Sequence, residues 1–391
     1  MKQIILKKNT EFSIIQGHPW VYKHSIKTAP KNLKTGEPVE VLTHKEKFAA
    51  YGIADVDSPI FVRLFPSQNA QDIHKEIEKL IFEATETRRF LFRNSDTTAW
   101  RAINGEGDGI SGLIVDLYGD TMVLQLYTLA LEPYKQTIIA SLRKAYPEVK
   151  HLWQTDKIRI IKSDGPQLLY GKDKTGTASF KENGMLFEAD LINGQKTGFF
   201  LDQRDNRQLI REVSENKKVL NICGYTGAFT VAAAYGKACE TVTVDISAPA
   251  LQEAEKNMKL NGFSSPKHSF EKADMFNYLE EAKENSFDIV ITDPPSMAKN
   301  AGERLKAGRA YRKLAKLAAK TTKPGGFMFA ASCTSQISRQ EFSEALLSGI
   351  TSAGKRAVLL KESYHAGDHP VLPAHKEGLY LKGMLFKIYE K

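Results

Sequence analysis

The spacing of apolar residues over positions 1–70 predicts a small β domain. Short alternating runs occupy 39–42, 48–53 and 60–65, and a polar turn at 45–47 separates the first two. With no helical periodicity between them, these runs predict a small β-barrel. Such a barrel either binds a ligand or only packs on the rest of the chain, and the pattern alone leaves both options open.

Helical spacing replaces the alternation from residue 71. Apolar positions recur so as to form one face of a helix over 71–94, namely Ile73, Ile77, Leu80, Ile81 and Phe90. A hairpin is predicted where Gly119 and Asp120 separate two alternating runs, 113–118 and 122–127. A helix over 132–146 and strands around 151–162 follow. Residues 71–180 therefore form a predicted small α+β domain, in which no catalytic group of residues is evident.

Buried runs alternating with helical segments indicate a Rossmann-like α/β domain over 181–391. The strand 219–222 is followed by a tight turn between Gly224 and Gly227, and a helix of small residues begins at Ala228. The glycines allow a ligand to approach the backbone, and the helix offers unpaired N–H groups. This arrangement predicts a nucleotide site.

Acidic residues end the next strands of the predicted sheet. Asp245 ends the strand 241–245 and suits ribose hydroxyls, whereas Asp274 ends a third strand. In this fold Asp274 lies near the adenine amine, but it is also placed to cap the following helix, and both roles can hold. The turn lacks the third glycine of a G-x-G-x-x-G motif, so a dinucleotide dehydrogenase is the least favoured alternative.

The amino-acid composition restricts which binding partners and which cellular compartment are expected. A net charge of +9 in 391 residues favours a polyanionic partner such as nucleic acid, although ordinary solvated lysines also explain it. The three cysteines form neither a disulfide framework nor metal-spaced pairs, which predicts a protein of the reducing cytoplasm without a metal. Neither a signal peptide nor a membrane-spanning run is expected, so no membrane partner is predicted.

The strand 287–292 ends in Asp293-Pro294-Pro295, a rigid turn that resembles the fourth motif of S-adenosylmethionine (SAM) methyltransferases acting on nucleobases. Prolines fix φ and remove donors, so the carbonyls of this turn are free to accept from an exocyclic amine. Two cationic segments flank the predicted site. Lys196, Arg204 and Arg207 are expected to meet a carboxylate or phosphate. The helical stretch 299–323 is either a phosphate-binding face or a solvated one.

Cys333 follows a strand at the edge where active groups of α/β sheets gather. A thiolate there suits methylation of carbon 5 of a pyrimidine, because carbon 5 becomes nucleophilic only after a nucleophile adds to carbon 6. Asp293 would bind the base edge during this addition. The alternative, a buried small residue, is equally compatible with the position.

Several segments together resemble the RlmI-type 23S rRNA cytosine-5 methyltransferases. They are KTGFFLDQR at 196–204, LNICGYTGAF at 220–229, DPP at 293–295, SCT at 332–334, and DHPV and EGLYLKG at 368–371 and 377–383. The N-terminal stretch resembles a PUA domain, a small RNA-binding barrel. The resemblance implies three domains: PUA-like at 1–70, α+β at 71–180, and a class I methyltransferase at 181–391.

The resemblance also implies the site and the partners. Cys333 and Asp293 would be catalytic, and SAM, released as S-adenosylhomocysteine (SAH), would be held by Lys196, Thr197, Phe199, Gln203, Arg204, Asn221, Gly224, Tyr225, Thr226, Gly227, Ala228, Phe229, Asp245, Ile246, Asp274, Met275, Asp293 and Pro294. Met297 stands where the family commonly has Phe. The expected partner is 23S rRNA, with a homodimer as an open option.

Two other functions remain open from the sequence. One is an rRNA guanine methyltransferase on the same fold, in which Cys333 is structural. The other is a non-catalytic RNA-binding or ribosome assembly protein with a vestigial nucleotide fold.

Overall fold

The computed structural model describes residues 1–155, 165–173 and 175–391, and these form two compact units. Unit 1 comprises residues 1–180, 189–201 and 367–378, and unit 2 comprises residues 181–188, 202–366 and 379–391. The predicted domains 1–70 and 71–180 both lie in unit 1, and the limits of the three domains stay predictions.

A six-stranded sheet occupies the start of unit 1, as the alternating runs predict. Its elements are β1 Lys2–Leu6, α1 Glu11–Ile15, β2 Trp20–Tyr22, β3 Ile26–Thr28, β4 Pro38–Leu42, β5 Phe48–Ala54 and β6 Ile60–Leu64. The strand order is β2-β6-β5-β4-β1-β3, in which only β1 and β4 run parallel. Ile4, Val41 and Val62 are fully buried in its core. The short helix α1 was not expected from the alternation.

The second part of unit 1 is a five-stranded sheet with two helices. Its elements are α2 Ile73–Phe92, β7 Ala99–Asn104, β8 Leu113–Tyr118, β9 Thr121–Leu126, α3 Lys135–Ala145, β10 His151–Gln154 and β11 Gln167–Tyr170. The strand order is β11-β10-β9-β8-β7, and the predicted hairpin joins β8 to β9 through Gly119. Of the strands expected around 151–162, residues 156–162 lie outside the described part of the chain.

The prediction that Phe90 belongs to the apolar face of α2 is wrong. Ile73, Ile77 and Ile81 are buried, but the side chain of Phe90 is 63% exposed. Phe90 lies nine residues after Ile81, about two and a half helical turns, and therefore on the opposite face of the helix.

Unit 2 contains the α/β fold that the sequence predicts. A hairpin of β12 Thr177–Glu182 and β13 Met185–Asp190 precedes it. Its elements are then α4 Arg204–Val213, β14 Lys218–Ile222, α5 Ala228–Tyr235, β15 Glu240–Asp245, α6 Ala248–Leu260, β16 His268–Lys272, α7 Met275–Glu281, β17 Phe287–Thr292, α8 Arg304–Thr321, β18 Thr322–Ser332, α9 Arg339–Ser352, β19 Lys355–Ser363 and β20 Lys382–Glu390.

These strands form one seven-stranded sheet in the order β16-β15-β14-β17-β18-β20-β19. The first five are parallel, and β20 is antiparallel to both of its neighbours. Because β14 has β15 on one side and β17 on the other, the strand order reverses there, and ligands of such sheets bind at the carboxyl ends of the strands beside that point. Among the described residues, no helix has the length and apolarity needed to cross a membrane.

Candidate active site

The turn between β14 and α5 has the tight backbone that its glycines predict. Cys223, Tyr225 and Gly227 have positive φ angles of 59°, 45° and 76°. A Cβ on Gly224 would lie 2.4 Å from Cγ2 of Thr243, so this turn packs directly on β15. A Cβ on Gly227 would likewise lie 2.7 Å from Cβ of Ala254, so both glycines are required by packing within the fold. The first N–H groups of α5, directly after this turn, lack helical partners and can donate to a ligand.

Side chains below the turn support it from within the fold. Asn221 is 1% exposed and donates through Nδ2 to Oγ1 of Thr230 at 3.0 Å. The ring of Phe229 packs in the core against Phe329, and the buried Thr226 accepts through its carbonyl from Asn257 at 3.0 Å. The predicted cofactor contacts of Asn221, Thr226 and Phe229, and that of Ala228, which is also buried, stay predictions.

Asp245, at the end of β15, is held by two backbone donors. Its Oδ2 accepts from the N–H of Tyr225 and its Oδ1 from the N–H of Ser247, each at 2.9 Å. A carboxylate offers about four lone-pair positions, so this half-buried group can still accept from ribose hydroxyls. The next residue, Ile246, is 69% exposed and presents an apolar side chain beside the acid.

Asp274 caps α7, which confirms one of its two predicted roles. Its Oδ1 accepts from the N–H of Phe276 at 2.9 Å and of Asn277 at 3.2 Å. The neighbouring Met275 places its Sδ 3.5 Å from Sγ of Cys223. Contact of Asp274 with an adenine amine stays a prediction.

The thiol of Cys223 is buried close to three of the aspartates of the site. Burial raises the pKa of the Cys223 thiol far above its usual range, and the negative charges of Asp245, Asp293 and Asp274 raise this pKa further. The carboxyl ends of β15, β16 and β17 therefore bring three carboxylates to one thiol beside the glycine turn. Such a thiol stays protonated and is not a nucleophile.

Asp293 follows β17 and is oriented by a buried amide. Gln203, 3% exposed, donates through Nε2 to Oδ2 of Asp293 at 3.0 Å and accepts through Oε1 from Nδ2 of Asn206 at 2.5 Å. The sequence predicts Gln203 as a cofactor contact, and the structure gives it a role in holding Asp293. Of the two prolines that follow, Pro294 is buried and Pro295 is exposed.

Cys333 is half-buried directly after β18, between two buried hydroxyl residues. Tyr311 of α8 is hydrogen-bonded through its hydroxyl to Oγ of Ser332 at 2.8 Å and to Oγ1 of Thr334 at 2.7 Å. Thr334 Oγ1 also accepts from the N–H of Met297 at 3.0 Å. This network fixes the turn that carries Cys333 to the loop that follows Asp293-Pro294-Pro295. Whether the side chain of Met297 contacts a base stays a prediction.

The hydroxyl of Tyr311 lies between Ser332 and Thr334, the two neighbours of Cys333. Burial raises the pKa of Tyr311 to about 12, and the negative charges of Cys333 and Asp293 act in the same direction, against the hydrogen bonds from Ser332 and Thr334. Tyr311 therefore remains a neutral hydrogen-bonding group at physiological pH. Cys333 and Asp293, which follow different strands, therefore both act on this one hydroxyl.

The arginines of α4 meet a carboxylate of the chain itself. Arg207 donates through Nε and Nη2 to the two carboxylate oxygens of Glu182, each at 2.6 Å, and both side chains are fully buried. Nε of Arg204 lies 3.9 Å from Glu182. Arg207 thus has a structural partner, whereas the predicted cofactor contact of Arg204 stays a prediction.

The remaining predicted cofactor residues lie in unit 1. Thr197 is hydrogen-bonded through Oγ1 to Asp116 at 2.6 Å and to the hydroxyl of Tyr118 at 2.8 Å. Phe199 is 2% exposed, and Nζ of Lys196 lies 4.3 Å from the ring centre of Phe200. These contacts order the segment 196–200 within its unit, and the cofactor roles of Lys196, Thr197 and Phe199 stay predictions.

The cationic helix α8 is neutralised unevenly along its length. Lys313 pairs with Glu280 at 2.7 Å, and Lys320 pairs with Glu284 at 2.6 Å. Near its start, Lys306 and Arg309 are exposed, and within the described ranges no carboxylate forms an ion pair with either. Arg304 at the start of the helix pairs with Glu341, so the exposed positive charge of the first half rests on Lys306 and Arg309. In the second half Lys313 and Lys320 carry paired charges, and Lys316 is exposed.

The residues at the carboxyl edge fit SAM. The first N–H groups of α5 can donate to a ligand, Asp245 retains acceptor capacity for a ribose, and the exposed Ile246 supplies an apolar surface for an adenine. Three nearby carboxylates suit the positive charge of a sulfonium and of an amino group.

Comparison with known proteins agrees with this geometry. Residues 129–353 match the family model of S-adenosylmethionine-dependent methyltransferases, and residues 4–66 match that of a PUA-like domain. A ribosomal RNA large subunit methyltransferase of Deinococcus radiodurans is 35% identical, over 98% of this chain and 96% of its own. Ribosomal RNA large subunit methyltransferase I of Aeromonas hydrophila is 34% identical, over 98% of both chains.

Solved structures share the whole fold. A SAM-dependent methyltransferase from Streptococcus mutans superposes with a TM-score of 0.84 at 23% identity, over 99% of this chain and 100% of its own. A methyltransferase complexed with SAH reaches a TM-score of 0.85 at 24% identity, with the same coverage.

Proposed function

Because the chain belongs to the S-adenosylmethionine-dependent methyltransferases of large-subunit ribosomal RNA, we propose that it methylates carbon 5 of a cytosine in 23S rRNA through a covalent adduct with Cys333. Family membership confirms the predicted cofactor and class of enzyme. The observation that carries the finer proposal is the half-buried Cys333 thiol, which shares its surroundings with Asp293 beside Tyr311.

Carbon 5 of cytosine requires a nucleophile because it has no usable lone pair. The Cys333 thiolate adds to carbon 6, and the electron density gained by the ring makes carbon 5 reactive. When bound, SAM supplies an electrophilic methyl group. Asp293 binds the base edge and favours protonation at ring nitrogen 3 while the adduct exists. A water molecule accepts the carbon-5 proton, the electron pair of that C–H bond re-forms the double bond to carbon 6, and Cys333 leaves as a thiolate, which restores the aromatic ring.

The cysteine inventory of the site supports Cys333 over Cys223. Burial, together with the charges of Asp245, Asp293 and Asp274, keeps the Cys223 thiol protonated, whereas Cys333 lies between Ser332 and Thr334, whose hydroxyls are hydrogen-bonded to Tyr311. A nucleophile must be a thiolate, so the environment of Cys333 is the suitable one.

The exposed start of α8 supports an RNA substrate. Lys306 and Arg309 follow the Asp293-Pro294-Pro295 turn by less than twenty residues and keep their charge, and Leu305 between them and the turn is 78% exposed. Phosphate contacts position a nucleic acid without specifying its sequence. We infer that this part of α8 holds the backbone of the RNA whose base reacts.

A covalent trap tests the mechanism. RNA that carries 5-fluorocytidine cannot lose its carbon-5 substituent, so the enzyme should remain attached to it and migrate as a complex that survives denaturing electrophoresis. Cys333→Ala should abolish both this complex and methyl transfer, whereas Cys239→Ala, at an exposed cysteine, should leave both unchanged. Methyl transfer retained in Cys333→Ala would exclude the adduct and favour the guanine methyltransferase.

The substrate is tested separately. Mass mapping of rRNA from a deletion strain should reveal one 23S cytosine that has lost a methyl group, and rRNA without any change would favour the assembly protein.

A 23S rRNA substrate implies a cytoplasmic enzyme. The homodimer stays a prediction, which light scattering during size-exclusion chromatography tests.

A further inference from the structure

A buried lysine closes the turn that follows Cys333. Lys382 begins β20 and lies opposite Ser332 in the antiparallel ladder between β18 and β20. It is 4% exposed, and its Nζ donates to the carbonyls of Thr334 at 2.8 Å and of Ile337 at 2.9 Å. The ammonium group therefore ties together the two ends of the segment directly after Cys333.

The charge of this lysine lacks the usual acidic partner. Both hydrogen-bond acceptors are neutral carbonyls, and among the described residues no carboxylate forms an ion pair with Lys382. Burial lowers its pKa to about 8, while the negative charges of Cys333 and, more weakly, Glu341 act in the opposite direction. Electrostatic interaction is reciprocal, so a cation stabilised by negative charge on Cys333 stabilises that negative charge in return.

We propose that Lys382 is a positioning residue that fixes the turn of Cys333 and stabilises its thiolate for attack on the pyrimidine. This inference rests on the proposed function, because it assumes that Cys333 is the nucleophile. An isolated cysteine is mostly protonated at neutral pH, and a neighbouring lysine is one of the devices that make such a thiol reactive.

Three of the groups around Cys333 come from different elements of the fold. Lys382 on β20 is the cation, Tyr311 on α8 is a neutral phenol, and Asp293 after β17 is an anion near the same hydroxyl. Because the folded-state pKa of Lys382 is about 8, its charge is present below that pH and is lost above it. The stabilisation of the thiolate is therefore available at neutral pH and disappears in alkaline solution.

The pH dependence of Cys333 alkylation tests this role without requiring catalysis. Iodoacetamide labelling of the Cys333 peptide, followed by mass spectrometry in the full chain, reports the thiolate at this one position. In Lys382→Met we expect labelling at pH 7 to be slower by about tenfold, the change that one pH unit of thiol ionisation produces. The labelling profile should move to higher pH, and methyl transfer should slow in parallel.

Two variants separate charge from packing. Lys382→Arg keeps the cation, so it should recover labelling at pH 7, whereas Lys387→Met removes a lysine from the same strand that lies over the ring of Phe327 and should resemble the parent. Calorimetric SAH binding verifies that each variant is folded. An unshifted Cys333 profile in a folded Lys382→Met variant overturns the inference, even when Cys333→Ala is inactive. If Cys333→Ala remains active, the proposed function fails instead.

Discussion

The hydroxyl of Tyr311 offers the most direct test of how the site is held together. Tyr311→Phe removes one oxygen that takes part in two buried hydrogen bonds, at 2.8 Å to Ser332 and 2.7 Å to Thr334. Both partners keep a backbone donor, since Ser332 accepts from the N–H of Thr334 and Thr334 accepts from the N–H of Met297. One buried hydroxyl hydrogen nevertheless loses its acceptor, which costs about 1–3 kcal/mol.

The assay must isolate unit 2, and the sequence makes this possible. All three tryptophans, Trp20, Trp100 and Trp153, lie in unit 1, so their fluorescence reports on that unit, whereas hydrogen exchange of β18 reports on unit 2. In Tyr311→Phe we expect the fluorescence transition in urea to be unchanged. The rate of hydrogen exchange in peptides from β18 should increase by the factor that corresponds to the lost free energy of about 1–3 kcal/mol.

The same variant should slow methyl transfer because the turn of Cys333 loses its attachment to α8. SAH affinity should stay as in the parent, since Gly224 and Asp245 do not contact Tyr311. Tyr389→Phe on β20, whose ring lies under the guanidinium of Arg356, serves as the matched control. Unchanged exchange of β18 together with full activity would show that the hydrogen-bond network does not position the nucleophile.

Three further predictions concern other parts of unit 2. Gly224→Ala would bring a Cβ to 2.4 Å from Thr243, a strain of about 1–3 kcal/mol, so calorimetry should give a Kd for SAH at least about fivefold higher. Replacing both Lys306 and Arg309 with Gln should weaken RNA binding for every sequence tested and lower the slope of log affinity against log salt by about two. Arg207→Met should lower the free energy of unfolding by about 3–5 kcal/mol in a denaturation followed by circular dichroism, because the buried carboxylate of Glu182 loses both of its hydrogen bonds to Arg207.

Matched variants make these three outcomes decisive. Gly308→Ala adds a Cβ with no atom within 4 Å and should leave SAH binding unchanged. Lys320→Gln removes a cation that is already paired with Glu284 and should leave the salt slope unchanged. Adding Glu182→Leu to Arg207→Met should restore part of the lost stability, since the stranded charge is then gone. Failure of a variant to differ from its control contradicts the corresponding interaction.

Local patterns suffice for the parallel strands of unit 2 and for the residues at their carboxyl ends. Gly224, Asp245, Asp293 and Cys333 each stand in a short motif directly after a buried run, so their approximate meeting place follows from the parallel order of the strands. The same reasoning correctly predicts Asp274 as the cap of α7.

Residues that reach the site through tertiary contacts have no such local signal. Tyr311 lies in the middle of α8, and Lys382 comes close to Cys333 only through the pairing of β18 with β20. Arg207 was expected to meet a carboxylate or phosphate at the site. Its partner in the structure is Glu182 on the preceding hairpin, and no local pattern around the arginine indicates this internal ion pair. The helix α9 and the strand β19 were not predicted, and their place in the sheet depends on β20.

The insertion of β20 between β18 and β19 affects how the protein matures during translation. A ribosome delivers β19 before β20, yet β19 contacts the sheet only across β20. The exposed edge of β18 must wait for residues 382–390 to leave the exit tunnel, and during that interval it is open to mispairing. Lys382, which we propose to position the nucleophile, arrives with that same segment, so on this proposal a nascent chain gains full activity only after residues 382–390 have emerged.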